Sequence, residues 1–565
     1  MSAESTADHG TFGGRGRTTY EIVPRAMDSL VGKKQRIILA LASGTLFALA
    51  FPPVPTGMTA FAALLPLLFL IEGLPDWRAV FRWSYLTFLI ANIGTIWWVS
   101  GWWGDDHWLK VAGVAVNLIH PLLFTIPAIA YFFLRRRMGA TFSIVSFPLL
   151  WTTWEWLMHL PELSFPWLLL ANTQTYDIMS IQFITATGAF GISFWIASIN
   201  ALLFHMLRRW LSDDRRLRFR PYLPGVTVFL LLLLLPRLHG MLVMNDTEQT
   251  RPHLRIAVLQ PDVDPYDKWG KGETPMGKLR HLIALYDSVA AFRPDLALLP
   301  ETAIPFRLLQ ASWHEEYSWL RTHLDSVGIP LLSGFPHTVY YDDEQTAPTS
   351  ARRIKDTDIR YQDFNAALLL QPGERMPQIY RKSRLTPLSE RIPYLDALPF
   401  LQDALTWGVG ISNWGLGNDT TVFSLRQDNG EAGIWAMICY ETLYPSFVAG
   451  FSRRGANVFG VITNDGWFGR SSGPYQLMQY TVLRAIENRR AVARCANNGI
   501  SCFIDPYGRV YDRTTLYTRT AIVRDLPLRS DITFYARYGD WLPMAISVLT
   551  GFIFLFAFIS GRYKT

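Results

Sequence analysis

Cys439 closes an apolar run, Ile434-Trp435-Ala436-Met437-Ile438, and is followed by Tyr440-Glu441 and a helix-like stretch from about Pro445. A thiol at such a strand-to-helix turn lies near a helix N-terminus, whose positive end favours thiolate and nucleophilic attack. The position suits a core cysteine equally, since free cysteine is often buried. A thiol nucleophile also needs a proton acceptor. All 11 histidines lie at or before His337, so the acceptor is an upstream histidine or a carboxylate. Glu301, in Leu298-Leu299-Pro300-Glu301-Thr302, and Lys382, in Tyr380-Arg381-Lys382-Ser383, also end apolar runs. Carboxylate, cation and thiol at three strand ends can converge on one edge of a sheet, as base, fixed charge and nucleophile. Taken singly, Glu301 and Lys382 fit solvated strand ends as well.

Other chemistry finds little support. Gly469-Arg470-Ser471-Ser472-Gly473 has the spacing of a hydrolase elbow, but no histidine follows Ser471, as that triad order requires. It reads as a loop before a helix starting at Pro474. No zinc-type spacing of Cys and His occurs, so no metal and no cofactor is expected. The three cysteines, Cys439, Cys495 and Cys502, are too few for a disulfide framework, and whether one pair is bridged stays open.

The elements that must position these groups alternate. Strands are expected at Leu254–Gln260, Leu296–Pro300, Pro330–Phe335, Ala366–Leu370, Gln378–Lys382, Ile434–Cys439, Val458–Thr463 and Gly499–Ile504. Helices are expected at Met276–Phe292, Trp313–Val327 and Pro474–Ala491. This is an α/β plan. The polar stretch Tyr341–Asp363 reads as a surface loop.

Around this stretch the composition changes. Of 565 residues, 50% are hydrophobic and 18% charged, against about 25% charged in a typical soluble domain. Mean hydropathy is +0.14. Yet 53 Lys and Arg and 46 Asp and Glu need water, so the chain reads as membrane helices joined to a soluble domain. Apolar runs of spanning length are expected at about Ile37–Phe51, Met58–Ile71, Val80–Trp103, Trp108–Leu134, Thr141–Met158, Ala189–Leu207, Tyr222–Leu238 and Leu542–Ser560. With eight spans and a cytoplasmic tail at residues 1–36, the clusters Lys33-Lys34-Arg36, Arg135-Arg136-Arg137, Arg208 to Arg220 and Arg562 to Lys564 all fall on the cytoplasmic side. The acidic Asp105-Asp106 falls outside. The domains are therefore a tail (1–36), a seven-span block (37–240), an extracytoplasmic α/β domain (241–541) and a last span with a short tail (542–565). The net charge of +7 reflects topology, and nucleic acid is not an expected partner. Glu155 and His159, near a helix end, read as interfacial.

Several motifs occur in order: Phe51-Pro52-Pro53, Phe165-Pro166-Trp167, Gly188 to Trp195, Gln260-Pro261, Pro300-Glu301, Tyr380 to Pro387, Glu390 to Pro393, Cys439-Tyr440-Glu441, Thr463 to Gly469 and Asn497-Asn498-Gly499. With them the outer domain resembles the nitrilase superfamily. The whole chain is similar to that superfamily's membrane-bound branch, the apolipoprotein N-acyltransferase family. The family often has Gly-Glu where this chain has Ser389-Glu390, and Ala where it has Gly466; the loop Tyr341–Asp363 is expanded.

The resemblance implies a nitrilase-like αββα sandwich and a Glu301-Lys382-Cys439 triad. It implies a second carboxylate at Glu390, loop-holding roles for Tyr440 and Glu441 (turn packing suits them as well), and cavity aromatics at Trp269 and Trp467. It implies transfer of an acyl chain from a phospholipid, with phosphatidylethanolamine the expected donor. The acceptor is the N-terminal amine of a diacylated apolipoprotein, and the route is ping-pong through a Cys thioester. The setting implied is the bacterial inner membrane, with the catalytic domain on the periplasmic side among membrane lipids. The alternatives are a membrane-tethered amidohydrolase of a small amide, for which one span would suffice, and a transporter, for which polar groups inside the spans are few.

Overall fold

The computed structural model describes residues 32–101, 107–212, 220–245, 251–265, 267–270, 272–343, 345–398, 413–427 and 430–562. Most of the expected tail, the pair Asp105-Asp106, the basic stretch 213–219 and the terminal residues 563–565 lie outside them.

Helical stretches coincide with the apolar runs. Among the described residues, five of them are long and apolar enough to cross a membrane: Trp77–Ser100, Lys110–Met138, Ala189–Ser212, Arg220–Val243 and Trp541–Ser560. The expectation was eight. Lys33–Leu49 has 17 residues, Gly57–Glu72 is broken into short turns, and Ala140–Leu157 carries Glu155. Asp76 caps the helix Trp77–Ile96 by accepting from Ala79 N at 2.9 Å, satisfying a donor that the first turn leaves open. At the basic end of the bundle, buried Glu72 pairs with Arg135 at 2.8 Å and Arg208 at 3.3 Å, joining three helices through one charge. Glu155 is not interfacial. It is buried and accepts from Trp151 Nε1 and from the peptide nitrogen of Leu170, both at 2.9 Å.

The α/β domain holds two sheets. One runs β13-β1-β2-β3-β5-β4, with β6 beside β5. Its strands are β1 (His253–Gln260), β2 (Leu296–Leu298), β3 (Leu331–Tyr341), β4 (Arg352–Arg353), β5 (Arg360–Leu370), β6 (Gln378–Arg381) and β13 (Thr520–Pro527). The other runs β12-β11-β10-β9-β8-β7, from β7 (Phe423–Gln427), β8 (Gly430–Ile438), β9 (Val458–Thr463), β10 (Ala491–Ala496), β11 (Cys502–Ile504) and β12 (Val510–Tyr511).

Alternation assigns the faces, because successive side chains on a strand point opposite ways. Ile256, Val258, Leu296 and Leu298 join the core shared with Ile434, Val461 and Ile462 of the second sheet. Ala257, Leu259, Ala297 and Leu299 point the other way, onto the helices Pro275–Asp287 and His314–Val327. The helices Pro445–Arg453 and Gly473–Asn488 contribute to the same core as the second sheet. The result is the layered αββα arrangement.

Three expectations change. The stretch Tyr341–Asp363 is not simply a loop. β3 reaches its first residue and β5 takes up its last four, paired in register with Tyr341 opposite Arg360, and within it the two-residue β4 adds to the edge of β5. Strands β4, β7, β10, β12 and β13 do not appear among the expected ones. In β10 a fully buried Arg494 interrupts the apolar pattern, and Asp465 neutralises it at 3.0 Å. Cys495 and Cys502 are free and buried, and Cys495 Sγ donates to the carbonyls of Leu259 and Leu298 at 3.2 and 3.3 Å.

Candidate active site

Glu301 lies three residues beyond β2, in a turn pressed close to β3. A Cβ on Gly334 would stand 2.3 Å from the Thr302 nitrogen. Lys382 follows β6 directly, and its peptide nitrogen still bonds to Asn365 O at 2.8 Å. Cys439 follows β8 with a backbone φ of +49°, an uncommon conformation that turns the chain sharply into the short 3-10 turn Cys439–Leu443. Contrary to expectation, the three do not share one sheet edge. Glu301 and Lys382 come from one sheet and Cys439 from the other, and all three line one cavity.

Glu301 and Lys382, 81 residues apart in the chain, meet at 2.9 Å. Lys382 Nζ also donates to both oxygens of Glu390, at 2.9 and 2.8 Å. Burial works against the ammonium, but Glu301 and then Glu390 outweigh it and hold Lys382 charged well above the usual lysine range. Burial likewise opposes the Glu390 carboxylate, yet Lys382 keeps its pKa below the ordinary value. Glu301 and Glu390 therefore share one ammonium.

The thiol behaves differently from expectation. Burial, and next the Glu301 carboxylate, push Cys439 up, against Lys382 and a hydrogen bond from Thr463. The 3-10 turn behind it has five residues, too short to supply the dipole of a long helix. Burial thus favours the neutral thiol over the thiolate.

Glu441 is fully buried and braces this arrangement. It accepts from Tyr380 Oη at 2.6 Å, from Ser383 N at 2.8 Å and from Ile438 N at 2.8 Å. Burial raises its pKa to about 7. Tyr440 Oη donates to Ser164 O at 2.9 Å, tying the nucleophile turn to the loop that follows helix Ala140–Leu157. Trp269 and Trp467 both line the cavity.

Sequence reasoning missed four groups. Asn365 Nδ2 donates to Glu301 at 2.7 Å and to Glu390 at 2.9 Å. The Asn464 peptide nitrogen donates to Glu301 Oε2 at 3.1 Å. Thr386 donates to Glu390 from nitrogen and hydroxyl, at 2.8 and 2.9 Å. Lys268, also buried, reaches Glu301 from behind. Asn365 precedes the apolar run Ala366–Leu370 and lies inside β5 rather than at its end. Asn464 directly follows the expected strand Val458–Thr463, the strand-end signal that singled out Glu301, whereas Thr386 and Lys268 carry none.

The cavity measures about 250 Å³. Its polar end holds Glu301, Lys382, Glu390 and Cys439, and its apolar wall includes Val99, Ala112, Val116, Phe165 and Trp167 from the helical block. No cluster of metal-ligand type occurs among the described residues. A thiol, a carboxylate that can take its proton and a fixed cation facing an apolar slot suit acyl transfer through sulfur.

Residues 43–202 match the model of the apolipoprotein N-acyltransferase N-terminal domain, and residues 255–533 match that of carbon-nitrogen hydrolases. The chain is 34% identical to an apolipoprotein N-acyltransferase of Chlorobaculum tepidum, over 95% of this chain and 99% of that one. It is 30% identical to an apolipoprotein N-acyltransferase of Geobacter metallireducens, over 89% of this chain and 91% of the other. A crystal structure of an amidase from Nesterenkonia sp. is a distant likeness, at 20% identity and a TM-score of 0.35, over 50% of this chain and 92% of that one.

Proposed function

The chain belongs to the apolipoprotein N-acyltransferase family, and from that premise we propose that it moves an acyl chain from a phospholipid to the N-terminal amine of a diacylglyceryl-cysteine apolipoprotein. The observation that carries this reading is the shared cavity, where Glu301, Lys382 and Cys439 meet an apolar wall to which two membrane-length helices contribute Val99, Ala112 and Val116.

Cys439 Sγ attacks the ester carbonyl of the donor while its proton passes to Glu301. Lys382 stabilises the tetrahedral oxyanion. Collapse breaks the ester C–O bond, Glu301 returns the proton to the departing lysophospholipid oxygen, and the acyl chain remains as a thioester. The neutral amine of the acceptor then attacks the thioester and gives a proton to Glu301. Collapse breaks the C–S bond, and Glu301 reprotonates the sulfur. Ester and amine become alcohol and amide, and the enzyme is regenerated. Glu390 keeps Lys382 in place, Glu441 and Tyr440 hold the nucleophile turn, and Trp269 and Trp467 pack against acyl chains.

The donor is phosphatidylethanolamine. The setting is the bacterial inner membrane, with residues 241–541 on the periplasmic side, 37–240 and 542–565 as eight spans, and 1–36 in the cytoplasm. The grouping of Glu72 with Arg135 and Arg208 at one end of the bundle supports this orientation. Delivery within the bilayer avoids drawing acyl chains into water, at about 0.8 kcal/mol per CH₂.

The test is acylation of a synthetic diacylated lipopeptide in detergent, followed by mass. Purified protein with phosphatidylethanolamine is expected to gain one acyl adduct on Cys439 and to pass it to the lipopeptide. The reading fails if the adduct persists in Cys439→Ala. Rapid turnover of small amides with no lipid requirement would replace it with an amidohydrolase.

A further inference from the structure

Thr302 follows Glu301 with a backbone φ of +46°. A β-branched residue at positive φ is a genuine outlier and persists only where its surroundings over-determine it. Two features do so here. Gly334 lets β3 approach until a Cβ there would lie 2.7 Å from the Glu301 Cα. From the other side Lys268 Nζ donates to Glu301 O at 2.9 Å and to Thr302 Oγ1 at 2.6 Å.

Lys268 is itself 3% exposed, and the two partners of its ammonium are neutral oxygens. Burial with no carboxylate in direct contact works against the ammonium and lowers its pKa to about 7, so the amine is kept there by these two bonds. Its own turn, Asp267–Trp269, is anchored as well. Lys278 Nζ donates to the carbonyls of Lys268 and Gly270, each at 2.9 Å. The next residue, Trp269, faces the cavity, while Lys268 lies behind its wall.

We infer that Lys268 is a positioning residue for Glu301, clamping the strained Glu301–Thr302 turn and so fixing the carboxylate relative to Lys382 and Cys439. The inference rests on the proposed role of Glu301 as proton acceptor. The clamp acts on backbone geometry, so relaxing the backbone compensates for its loss. Glycine enters positive φ at no steric cost, which makes Thr302→Gly the compensating change.

The experiment uses the full-length protein in detergent with phosphatidylethanolamine and a diacylated lipopeptide. Lys268→Met is expected to lower kcat about ten- to a hundredfold, as small misplacements of a reacting group do. The KM for phospholipid stays within about twofold, since no contact to the donor is removed. Lys268→Met/Thr302→Gly is expected to recover most of the lost rate. Wild-type kcat in Lys268→Met, or a double variant as slow as the single one, overturns the inference. Should Lys268→Met fail to fold, Thr302→Gly in the same chain is expected to restore folded protein, and failure to do so also overturns it. No acyl adduct on Cys439 in the wild-type protein would bring down the reading of the site itself, and the clamp with it.

Discussion

The Glu441 carboxylate accepts the peptide N–H of Ser383 at 2.8 Å, one residue beyond Lys382, although Glu441 itself stands only two residues beyond Cys439. Its second oxygen accepts Ile438 N, just before the thiol. One buried carboxylate thus sets the spacing between nucleophile and cation, which arrive on different sheets.

Glu441→Gln replaces one accepting oxygen by a donor and leaves Ile438 N or Ser383 N without a partner. The expected cost is about 1–3 kcal/mol of stability for the unsatisfied group. Thermal unfolding measures it, and kcat is expected to fall at least about tenfold because both reacting groups shift.

Lys382→Met leaves Glu301 and Glu390 buried with no cation between them. Breaking a buried pair costs about 3–5 kcal/mol. One carboxylate is then expected to take up a proton. The adduct on Cys439 should form more than about a hundredfold more slowly, through loss of oxyanion stabilisation. An adduct rate near that of wild type would remove Lys382 from the mechanism.

The alkylation of Cys439 by iodoacetamide reports its protonation. Burial and Glu301 raise the thiol pKa, so at neutral pH the thiolate is scarcer than in an ordinary cysteine and alkylation is slow. The rate is expected to climb only above the usual thiol range. Glu301→Gln removes a negative charge that raises this pKa, so it should speed alkylation while abolishing acyl transfer. Opposite movement of the two readouts separates a base from a merely structural carboxylate.

Ala112 and Val116 lie on the apolar wall of the cavity. Ala112→Phe shortens that wall and is expected to shift preference toward donors with shorter acyl chains by about tenfold, since each methylene in an apolar pocket is worth about 1–3 kcal/mol. Competition between phospholipids of two chain lengths, read by mass of the Cys439 adduct, checks it. An unchanged ratio would place the acyl chain elsewhere.

The sequence by itself determined the local facts. Runs of apolar residues marked the helical stretches and most strands of both sheets, because burial imposes its period on any element that packs. Glu301, Lys382 and Cys439 stood out because each ends such a run. Where charge enters a core, the pattern falls silent, and so β10 with its buried Arg494 escapes it, and Glu155 reads as interfacial although it is buried. Tertiary structure decided the rest. It brought residues 81 and 163 positions apart onto one carboxylate, distributed Glu301, Lys382 and Cys439 over two facing sheets, and pushed the thiol pKa up rather than down. It also recruited Asn365, Asn464, Thr386 and Lys268. The physical reason is range: periodicity reports how one segment meets its immediate surroundings. Hydrogen bonds between distant segments, and the pKa values they set, exist only once the chain has folded.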